Sequence, residues 1–421
     1  MSRLGALLRH DLLRRSALFS VSIVASTVVG IVSIPLLIST IGTDEWARLF
    51  VLQIIGQFAS IFVAFGWGAT GPSTVSALPA SSRRQFLADS VVARVLLFLI
   101  VGPLAVILGI VLGADPLAAV LATIAYAIPG IGAAWYFIGT NRPVAMLVFD
   151  ALPAVLGQVA ALVAVVIAPT LTSYLYCVAF ATVAGVVGGL LFALRKRDGV
   201  RLHRTRVKEL GSTMRAQIPG LATVLFGNLS TMLPVLLVDV YMKPVLPIFA
   251  AVDKLYRYGV LVLAPILQAV QGWVPEAGPE QTRLRARGSL WVGLAVGLFG
   301  GACFAFLATP ISIPLTVGKA VIPFEIALIA GIGFAGECVA QIVGLAGLVA
   351  LHKERELAKS SVVAAVISLP LMIPAVLLWG LIGIVGVIAA SAVLVATYRT
   401  TVLLRASSAR HLASETPPTD H

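Results

Sequence analysis

The feature of this sequence that most constrains its fold is a series of about twelve long apolar runs, separated by short polar segments. A membrane-spanning helix needs about 20 consecutive, mainly apolar residues. Hydrophobic residues make up 59% of the 421-residue chain and charged residues only 11%, whereas a soluble domain has about 25% charged residues. The composition therefore excludes a water-soluble enzyme, a disordered chain and a disulfide-stapled secreted protein. It predicts an all-α polytopic membrane protein.

The breakers between the apolar runs predict about 12 transmembrane helices. Their approximate bounds are 17–40, 49–70, 91–112, 117–139, 144–168, 173–194, 218–239, 245–270, 290–313, 322–351, 361–379 and 381–402. Little more than Gly380 separates the last two, so the count depends most on this pair. No cleavable signal peptide is predicted, because the first apolar run is too long for one and lacks a small-residue cleavage site.

Positive charges are distributed unevenly between the two sides of this arrangement. With the N-terminus inside, 25 of the 30 Lys and Arg residues fall on the cytoplasmic side, including Arg94 and Arg399. Only Arg48, Lys243 and Lys319 fall outside. Because cytoplasmic loops collect Lys and Arg, we predict a multi-pass protein of the cytoplasmic membrane with both termini inside. The net charge of +12 then reflects orientation and does not predict nucleic acid as a partner.

A basic segment at 195–215 divides the chain into two halves of six spans each. The predicted organisation is a cytoplasmic segment at 1–16, a six-helix bundle at 17–194, the linker at 195–215, a second six-helix bundle at 216–402 and a cytoplasmic tail at 403–421. The halves resemble each other, since Gly66-Trp67 ends the second span and Gly272-Trp273 ends the eighth. Two halves of six spans share one orientation, which predicts a parallel pseudo-repeat about an axis along the membrane normal.

Three charged residues stand close together in the eighth predicted span: Asp253, Lys254 and Arg257. An ionisable side chain at membrane depth is costly unless it faces a cavity or a partner. Positions 253 and 257 are i, i+4 and positions 254 and 257 are i, i+3, so the three side chains can share one side of the helix. One interpretation is a cationic patch for a phosphate-bearing substrate. The other is an internal Asp253–Arg257 pair that locks helices together.

The second predicted span carries the polar residues Arg48, Gln53 and Gln57. Arg48 opens the span and could contact substrate, or it could extend to the outer headgroups, as an arginine at a helix end commonly does. Gln53 and Gln57 are i, i+4 and nearly in register with Asp253 and Arg257 in the other half. They could hydrogen-bond a sugar or a headgroup, or they could join neighbouring helices.

Two further acids, Asp150 and Glu337, lie at membrane depth, with Gln341 one turn after Glu337. Each acid could be a proton or sodium site that drives transport, as could Asp253. Each could instead be the counter-ion of Lys254 or Arg257, or be held protonated by apolar surroundings.

The sequence contains none of the motifs that commonly mark a catalytic or nucleotide-binding site. It has no phosphate-binding P-loop, zinc-binding helix or nucleophile elbow, and no extramembrane segment long enough to hold a catalytic domain. The three cysteines lie in apolar runs without metal-binding spacing. We therefore predict a protein that is not an enzyme, has no catalytic residues and uses no metal or other cofactor.

Four stretches resemble one family of membrane proteins. These are Ile31 to Trp46, Phe65-Gly-Trp-Gly-Ala-Thr-Gly71, Trp135-Tyr-Phe-Ile-Gly139 and Ile248 to Lys254. They are similar to the polysaccharide (O-antigen or repeat-unit) flippases of the multidrug/oligosaccharidyl-lipid/polysaccharide exporter superfamily. Ala47 departs from the pattern, because the family usually has glycine after the acidic-aromatic turn.

The resemblance implies a MATE-like fold of two six-helix bundles around a cationic cavity. It also implies a flippase that moves undecaprenyl-pyrophosphate-linked oligosaccharide to the outer leaflet by alternating access, for surface polysaccharide biosynthesis. Lys254 and Arg257 would hold the pyrophosphate, Arg48 would be a gate contact, and Gln53 and Gln57 would face the glycan. The implied partners are the lipid-linked substrate, membrane lipids and a glycan polymerase or ligase.

Three alternatives remain open at this point. An ion-coupled multidrug antiporter of the same superfamily would have a cavity dominated by acids, whereas this chain mixes acids and bases. A transport-inactive scaffold of a glycan assembly complex would keep its biological function without the cationic patch. A membrane-embedded glycosyltransferase would need a large catalytic loop, which the sequence lacks.

Overall fold

The computed structural model describes residues 27–195, 203, 207–274 and 278–408, and within these ranges all regular structure is helical. The predicted segment 1–16, the start of the first predicted span, most of the linker and the end of the predicted tail lie outside the described residues. The chain forms two compact units, one ending at Asn228 and the other starting at Leu229. The division falls within one long helix, Val207–Tyr241.

The helices of the first unit are mostly long and apolar. They are α1 (Thr27–Ile41), α2 (Thr43–Ala64), α3 (Trp67–Ala77), α4 (Ala80–Val111), α5 (Pro116–Ala127), α6 (Ala134–Gly139), α7 (Pro143–Met146), α8 (Leu152–Ile167), α9 (Leu171–Leu194) and the first part of α10 (Val207–Tyr241). A 3-10 turn, Ile128–Ile131, follows α5, and a π-helical segment, Leu147–Ala151, joins α7 to α8.

The second unit contains the end of α10 and four further helices. They are α11 (Leu246–Trp273), α12 (Gly278–Leu315), α13 (Phe324–Ile342) and α14 (Glu354–Ser408). A short 3-10 turn, Lys243–Val245, precedes α11, and a π-helical segment, Val343–Leu348, continues α13.

Eight helical segments of the described chain are long and apolar enough to cross a membrane, and two shorter apolar stretches add to them, namely α1 and the end of α10 at Thr231–Tyr241. This confirms the prediction of a multi-pass all-α membrane protein. The helix α11 is not among the eight segments, and it is the helix that carries Asp253, Lys254 and Arg257.

The last of the eight segments, α14, contains two helices joined at Gly380. Gly380 has φ 58° and ψ −135°, a backbone conformation that favours glycine. The chain reverses here, because a Cβ on Gly383 would lie 2.1 Å from the carbonyl oxygen of Ala375, and Tyr398 reaches back to Glu356. The predicted eleventh and twelfth spans are therefore two antiparallel helices with almost no loop between them.

The predicted end of the second span at Gly66-Trp67 is a break between two helices. The helix α2 ends at Ala64, Phe65 and Gly66 both have positive φ, and α3 begins at Trp67. A Cβ on Gly66 would lie 2.4 Å from the carbonyl oxygen of Gln217 in α10, so the close approach of these backbones requires glycine. The corresponding helix of the second half, α11, continues to Trp273 without such a break.

Small residues hold the helices of the second unit together. Gly293, Gly297 and Gly301 recur every four residues along α12 and face α13. A Cβ on Gly301 would lie 2.6 Å from the carbonyl oxygen of Gly331. Within a membrane, such close packing replaces the hydrophobic effect as the force that joins helices. As a result, about two thirds of the residues in the most apolar 18-residue stretch of Phe324–Leu348 are buried, and this segment forms the centre of the unit.

Candidate functional site

The residues Asp253, Lys254 and Arg257 form one ion cluster on α11. Arg257 Nε donates a hydrogen bond of 2.6 Å to Asp253 Oδ2, and Lys254 is the next residue after Asp253. The cluster lies about 10 to 17 Å along the helix axis from Leu246, the first residue of α11. The helical spacing i, i+4 brings the carboxylate and the guanidinium together, so the Asp253–Arg257 pair, one of the two interpretations of the sequence, is present in the structure.

Of the two paired side chains, Arg257 is the more exposed and Asp253 the more buried. The side chain of Arg257 is 39% exposed and that of Asp253 only 15%. Arg257 Nη2 also donates a long hydrogen bond of 3.4 Å to the carbonyl oxygen of Thr231 in α10. The described residues give Arg257 Nη1 no hydrogen-bond partner. One edge of the guanidinium is therefore available to a ligand.

An aromatic contact fixes α11 in place next to the ion cluster. The ring of Tyr256 packs edge-on against Phe334, with ring centroids 5.4 Å apart, and also against Phe304. Phe334 in turn fits between two glycines, since a Cβ on Gly259 or Gly300 would lie 2.7 or 2.8 Å from its ring. The packing of Tyr256 thus orients the turn of α11 that carries the three charges.

The acid Glu337 lies on α13, one turn after Phe334. Its Oε1 accepts a hydrogen bond of 2.8 Å from Gln341 Nε2, and the side chain is half-buried. Because α11 and α13 are separated by one intervening helix, α12, they run in the same direction. The acids Asp253 and Glu337 therefore lie on opposite sides, along the helix axis, of the Tyr256–Phe334 contact.

The predicted residues Gln53 and Gln57 of α2 have different surroundings in the first unit. Gln53 Nε2 donates a hydrogen bond of 3.0 Å to the hydroxyl of Tyr126 in α5. A Cβ on Gly56 would lie 2.5 Å from Cβ of Tyr126, so the two helices are in close contact at this level. Gln57 is exposed on the surface of the unit. Gln53 thus joins two helices, whereas Gln57 is available for an external contact.

Two contacts hold the side chain of Arg48 near the first turn of α2. Its guanidinium donates a hydrogen bond to the carbonyl oxygen of Gly113, after α4, and forms an ion pair of 3.5 Å with Glu45. Both contacts lie within the first unit, at the start of the helix.

Asp150 lies in the π-helical segment Leu147–Ala151 and is exposed on the surface of the first unit. The preceding residue, Phe149, packs inward on α9, where a Cβ on Gly185 would lie 2.8 Å from the Phe149 carbonyl oxygen. Segments of π-helix are rare and occur often at functional sites. The structure thus gives Asp150 an accessible carboxylate on an apolar helix.

The site residues predicted from the sequence fall into separate groups. Asp253, Lys254 and Arg257 form one cluster in the second unit, and Glu337 lies on the neighbouring α13. The first unit holds the other predicted residues, which are Arg48, Gln53, Gln57 and Asp150. No group of three or more His, Cys, Asp or Glu residues within the described ranges could hold a metal ion.

Arg94, counted above on the cytoplasmic side, is buried within α4 and only 1% exposed. Its guanidinium donates hydrogen bonds to the carbonyl oxygens of Gly130 and Gly132, at 3.1 and 2.8 Å, and to the hydroxyl of Ser90 at 3.0 Å. It lies 5.9 and 5.4 Å from the ring centroids of Trp67 and Trp135. Among the described residues, Arg94 forms no ion pair. The aromatic-glycine stretches at Phe65 and Trp135 thus meet around this cation.

Arg399, also assigned to the cytoplasmic side, is buried within α14 and 8% exposed. It donates hydrogen bonds of 2.9 Å to the carbonyl oxygen of Ala340 and to the hydroxyl of Ser360. A Cβ on Gly344 would lie 2.9 Å from its Nη1. Arg399 therefore binds the backbone where α13 passes into π-helix. Sequence reasoning missed both buried arginines, because the carbonyl groups that bind them, at Gly130, Gly132 and Ala340, lie 36, 38 and 59 residues away along the chain.

Comparison with solved structures identifies the architecture as a MATE-like fold. No protein-family model and no curated protein sequence matches the chain.

Solved structures with a similar fold include the following three. A structure of the lipid II flippase MurJ in an inward closed conformation has a TM-score of 0.68 and 14% identity, covering 95% of this chain and 94% of its own. A multidrug resistance MATE family transporter in an inward-facing conformation has a TM-score of 0.64 and 14% identity, with coverage of 93% and 96%. A superfamily transporter from Pyrococcus furiosus, described as having a binding pocket of reversed polarity, has a TM-score of 0.51 and 13% identity, with coverage of 96% and 97%.

Proposed function

We propose that this protein is a flippase that translocates undecaprenyl-pyrophosphate-linked oligosaccharide across the cytoplasmic membrane for surface polysaccharide biosynthesis. The observation that carries the proposal is the ion cluster of α11, which has two cations for one carboxylate and an open guanidinium edge on Arg257. The fold shared with the lipid II flippase MurJ supports it.

The chemistry of the ion cluster suits a phosphate-bearing headgroup. A guanidinium presents planar donors that match phosphate oxygens, and a lysine supplies a compact positive charge. In an apolar environment these interactions are stronger than in water. Arg257 and Lys254 would hold the pyrophosphate while the protein opens alternately to the two sides of the membrane.

The first unit would supply contacts to the glycan and to the gate. Gln57 is exposed and can hydrogen-bond a sugar, whereas Gln53 can do so only if it exchanges its bond to Tyr126. Arg48, bound near Gly113 and Glu45, would act as a gate contact at the start of α2.

Three acids are the candidates for coupling transport to an ion gradient. Asp150 is exposed in a π-helical segment, Glu337 is half-buried beside Gln341, and Asp253 is paired with Arg257. An acid at membrane depth that faces a cavity can exchange a proton or bind a cation.

The orientation and partners of the protein follow from the same proposal. The excess of Lys and Arg in alternate loops supports a cytoplasmic membrane protein with both termini inside. Besides its lipid-linked substrate and membrane lipids, the flippase would work beside a glycan polymerase or ligase, which consumes the translocated product.

A second candidate function is an ion-coupled multidrug antiporter. The exposed carboxylate of Asp150 favours it, because a carboxylate at membrane depth can bind a cationic drug. The shared fold with a multidrug resistance MATE family transporter is compatible with it. A transport-inactive scaffold of a glycan assembly complex is the third candidate.

The first test is the lipid-linked glycan pool in cells that lack this protein, with its sidedness probed by an impermeant reagent. The flippase predicts that glycan accumulates on the cytoplasmic leaflet and that the wild-type chain restores export. An unchanged pool together with altered sensitivity to cationic dyes would favour the antiporter instead.

The second test replaces both cations of the cluster, Lys254→Ala with Arg257→Ala. We expect export to be lost while the amount of protein in the membrane stays the same. The matched control, Lys319→Ala with Lys353→Ala, removes two exposed positive charges from the same unit and should leave export intact. Normal export in the first variant would refute the pyrophosphate site, and full biological function without export would favour the scaffold.

A further inference from the structure

The second half of α2 differs from the first half in its burial. Of residues 46–56 all but two are buried, whereas of residues 57–65 only Ala59 and Val63 are buried. Val63 is 0% exposed and packs against Gly130, where an added Cβ would lie 2.9 Å from the Val63 Cβ. One side of this half of the helix therefore packs inward, and the described residues leave the other side partly uncovered.

Five residues of the uncovered side, Gln57, Phe58, Ser60, Ile61 and Phe62, form what we call the α2 face. Gln57 and Ser60 are spaced i, i+3 and lie on one side of it. Phe58 and Phe62 are spaced i, i+4 and lie on the other side, with ring centroids 5.2 Å apart and ring planes at 81°. Ile61 lies between the two pairs. The α2 face thus places hydrogen-bonding groups beside aromatic surface.

The polar groups of the α2 face are open to a ligand. Gln57 is exposed and Ser60 is half-buried, and the described residues offer neither side chain a hydrogen-bond partner. The helix belongs to a segment that is long and apolar enough to cross a membrane. Lipid chains cannot hydrogen-bond a free amide, so contact with lipid would be costly here. The α2 face therefore suits water or a polar ligand.

The segment that carries the α2 face is uncharged. No Asp, Glu, Lys or Arg residue occurs between Arg48 and Arg83, a stretch that includes all of α3. A charged group of a ligand would lose water at the α2 face without gaining a counter-ion from α2 or α3. The α2 face therefore favours the neutral part of a ligand, in contrast to the ion cluster of α11.

We propose that the α2 face binds the glycan of the translocated lipid and selects uncharged sugars. This inference rests on the proposed function, adds Phe58, Ser60 and Phe62 to its glycan contacts and names the class of sugar. The amide of Gln57 and the hydroxyl of Ser60 each donate and accept hydrogen bonds, as sugar hydroxyls require. The apolar C–H surface of a sugar ring packs against the neighbouring aromatic rings. A sugar carboxylate would meet no cation on this face.

The test measures binding of three synthetic probes to the purified full-length chain. Each probe is a farnesyl pyrophosphate diester, whose second substituent is a methyl group, glucose or glucuronic acid. The two sugars differ only in the carboxylate, and the methyl probe lacks a sugar. We expect the glucosyl probe to bind about tenfold more tightly than the methyl probe, because hydrogen bonds and ring packing are added. The glucuronyl probe should bind at least about tenfold more weakly than the glucosyl probe.

Two variants of the α2 face separate its contributions. Gln57→Leu and Phe62→Leu should each lower the affinity for the glucosyl probe about fivefold and leave the Kd of the methyl probe unchanged. The matched controls Gln281→Leu and Phe299→Leu change an exposed glutamine and an exposed phenylalanine of α12, and should leave all three Kd values unchanged. Thermal unfolding checks that every variant is folded. Gln57→Lys should reverse the preference, so that the glucuronyl probe binds more tightly than the glucosyl probe.

Several results would overturn the inference while leaving the proposed function intact. One is a glucosyl probe that binds no more tightly than the methyl probe, and another is a glucuronyl probe that binds as tightly as the glucosyl probe or more tightly. A third is a preference for glucose that survives in both Gln57→Leu and Phe62→Leu. The proposed function itself would fail, and the inference with it, if the wild-type chain bound none of the probes. It would also fail if Lys254→Ala with Arg257→Ala left the Kd of the methyl probe unchanged.

Discussion

Arg94 in the first unit and Arg257 in the second both lie on long helices of a membrane protein, yet their surroundings are opposite. Arg94 is 1% exposed and bonds to carbonyl oxygens, a serine and two tryptophan rings. Arg257 is 39% exposed and bonds to a carboxylate, with one edge open. A cation whose donors are used by the backbone maintains the structure, whereas a cation with an open edge can bind a ligand. The number of charges in a helix does not distinguish the two cases, but their hydrogen-bond partners do.

The largest effect on stability is expected from Arg94→Met. The change leaves the carbonyl oxygens of Gly130 and Gly132 without their donor inside the first unit. Since each unsatisfied buried polar group costs about 1–3 kcal/mol, we expect the free energy of unfolding to fall by about 3 kcal/mol. Thermal or denaturant unfolding of the protein in detergent measures it. Wild-type stability in this variant would mean that the comparison with Arg257 does not hold.

A smaller loss of stability, about 2 kcal/mol, is expected from Gly66→Ala in the break between α2 and α3. Gly66 has a φ of 88°, which residues with a Cβ rarely adopt, and the added Cβ would lie 2.4 Å from the carbonyl oxygen of Gln217. The same unfolding measurement applies. Gly68→Ala is the matched control, because a Cβ at that position meets nothing within 4 Å. Equal stability of the two variants would contradict the prediction.

An effect of about 1 kcal/mol is expected from Gln53→Leu, because one hydrogen bond to Tyr126 is lost between two membrane helices. Gln57→Leu changes an exposed position on the same helix and should leave the unfolding transition where it is. If Gln57→Leu were the more destabilising of the two, the assignment of Gln53 to helix packing would be wrong.

The smallest effect on stability is expected from Arg257→Gln, at about 0.5 kcal/mol, because the amide of glutamine can still donate a hydrogen bond to Asp253 and Lys254 remains as a cation beside the carboxylate. Export of the lipid-linked glycan should nevertheless be lost. Unfolding and export are measured on the same preparations. A variant that loses several times this stability would place Arg257 with Arg94 as a structural cation.

The sequence was sufficient to predict the helical membrane fold and the ion cluster, because both depend on local patterns. Long apolar runs specify spans, and Asp253 and Arg257 are one helical turn apart, so their pairing needs no knowledge of the fold. The break at Gly66 and the reversal at Gly380 were visible as glycines at the ends of apolar runs. Each of these features depends on residues that lie close together in the sequence.

The buried arginines and the π-helical segments could not be predicted in this way. Arg94 stands near the start of its apolar run, where an arginine commonly reaches the headgroups, and only the packing of Trp67 and Trp135 buries it. Likewise, Gln53 and Gln57 have the same chemistry and helical spacing, and only the approach of Tyr126 separates their roles. Such assignments depend on contacts between residues far apart in the chain.

The reversal at Gly380 has a consequence for how the protein is made. A single residue joins the two helices of α14. No connecting loop is therefore present that could extend out of the membrane while the second helix is still being synthesised. We therefore expect the two helices to enter the bilayer as one hairpin, whose two outer ends the hydrogen bond from Tyr398 to Glu356 joins in the folded protein. A chain that stops at Trp379 would lack the second helix of the hairpin, and with it the tyrosine that donates a hydrogen bond to Glu356. We expect the cell's quality-control proteases to remove such a chain.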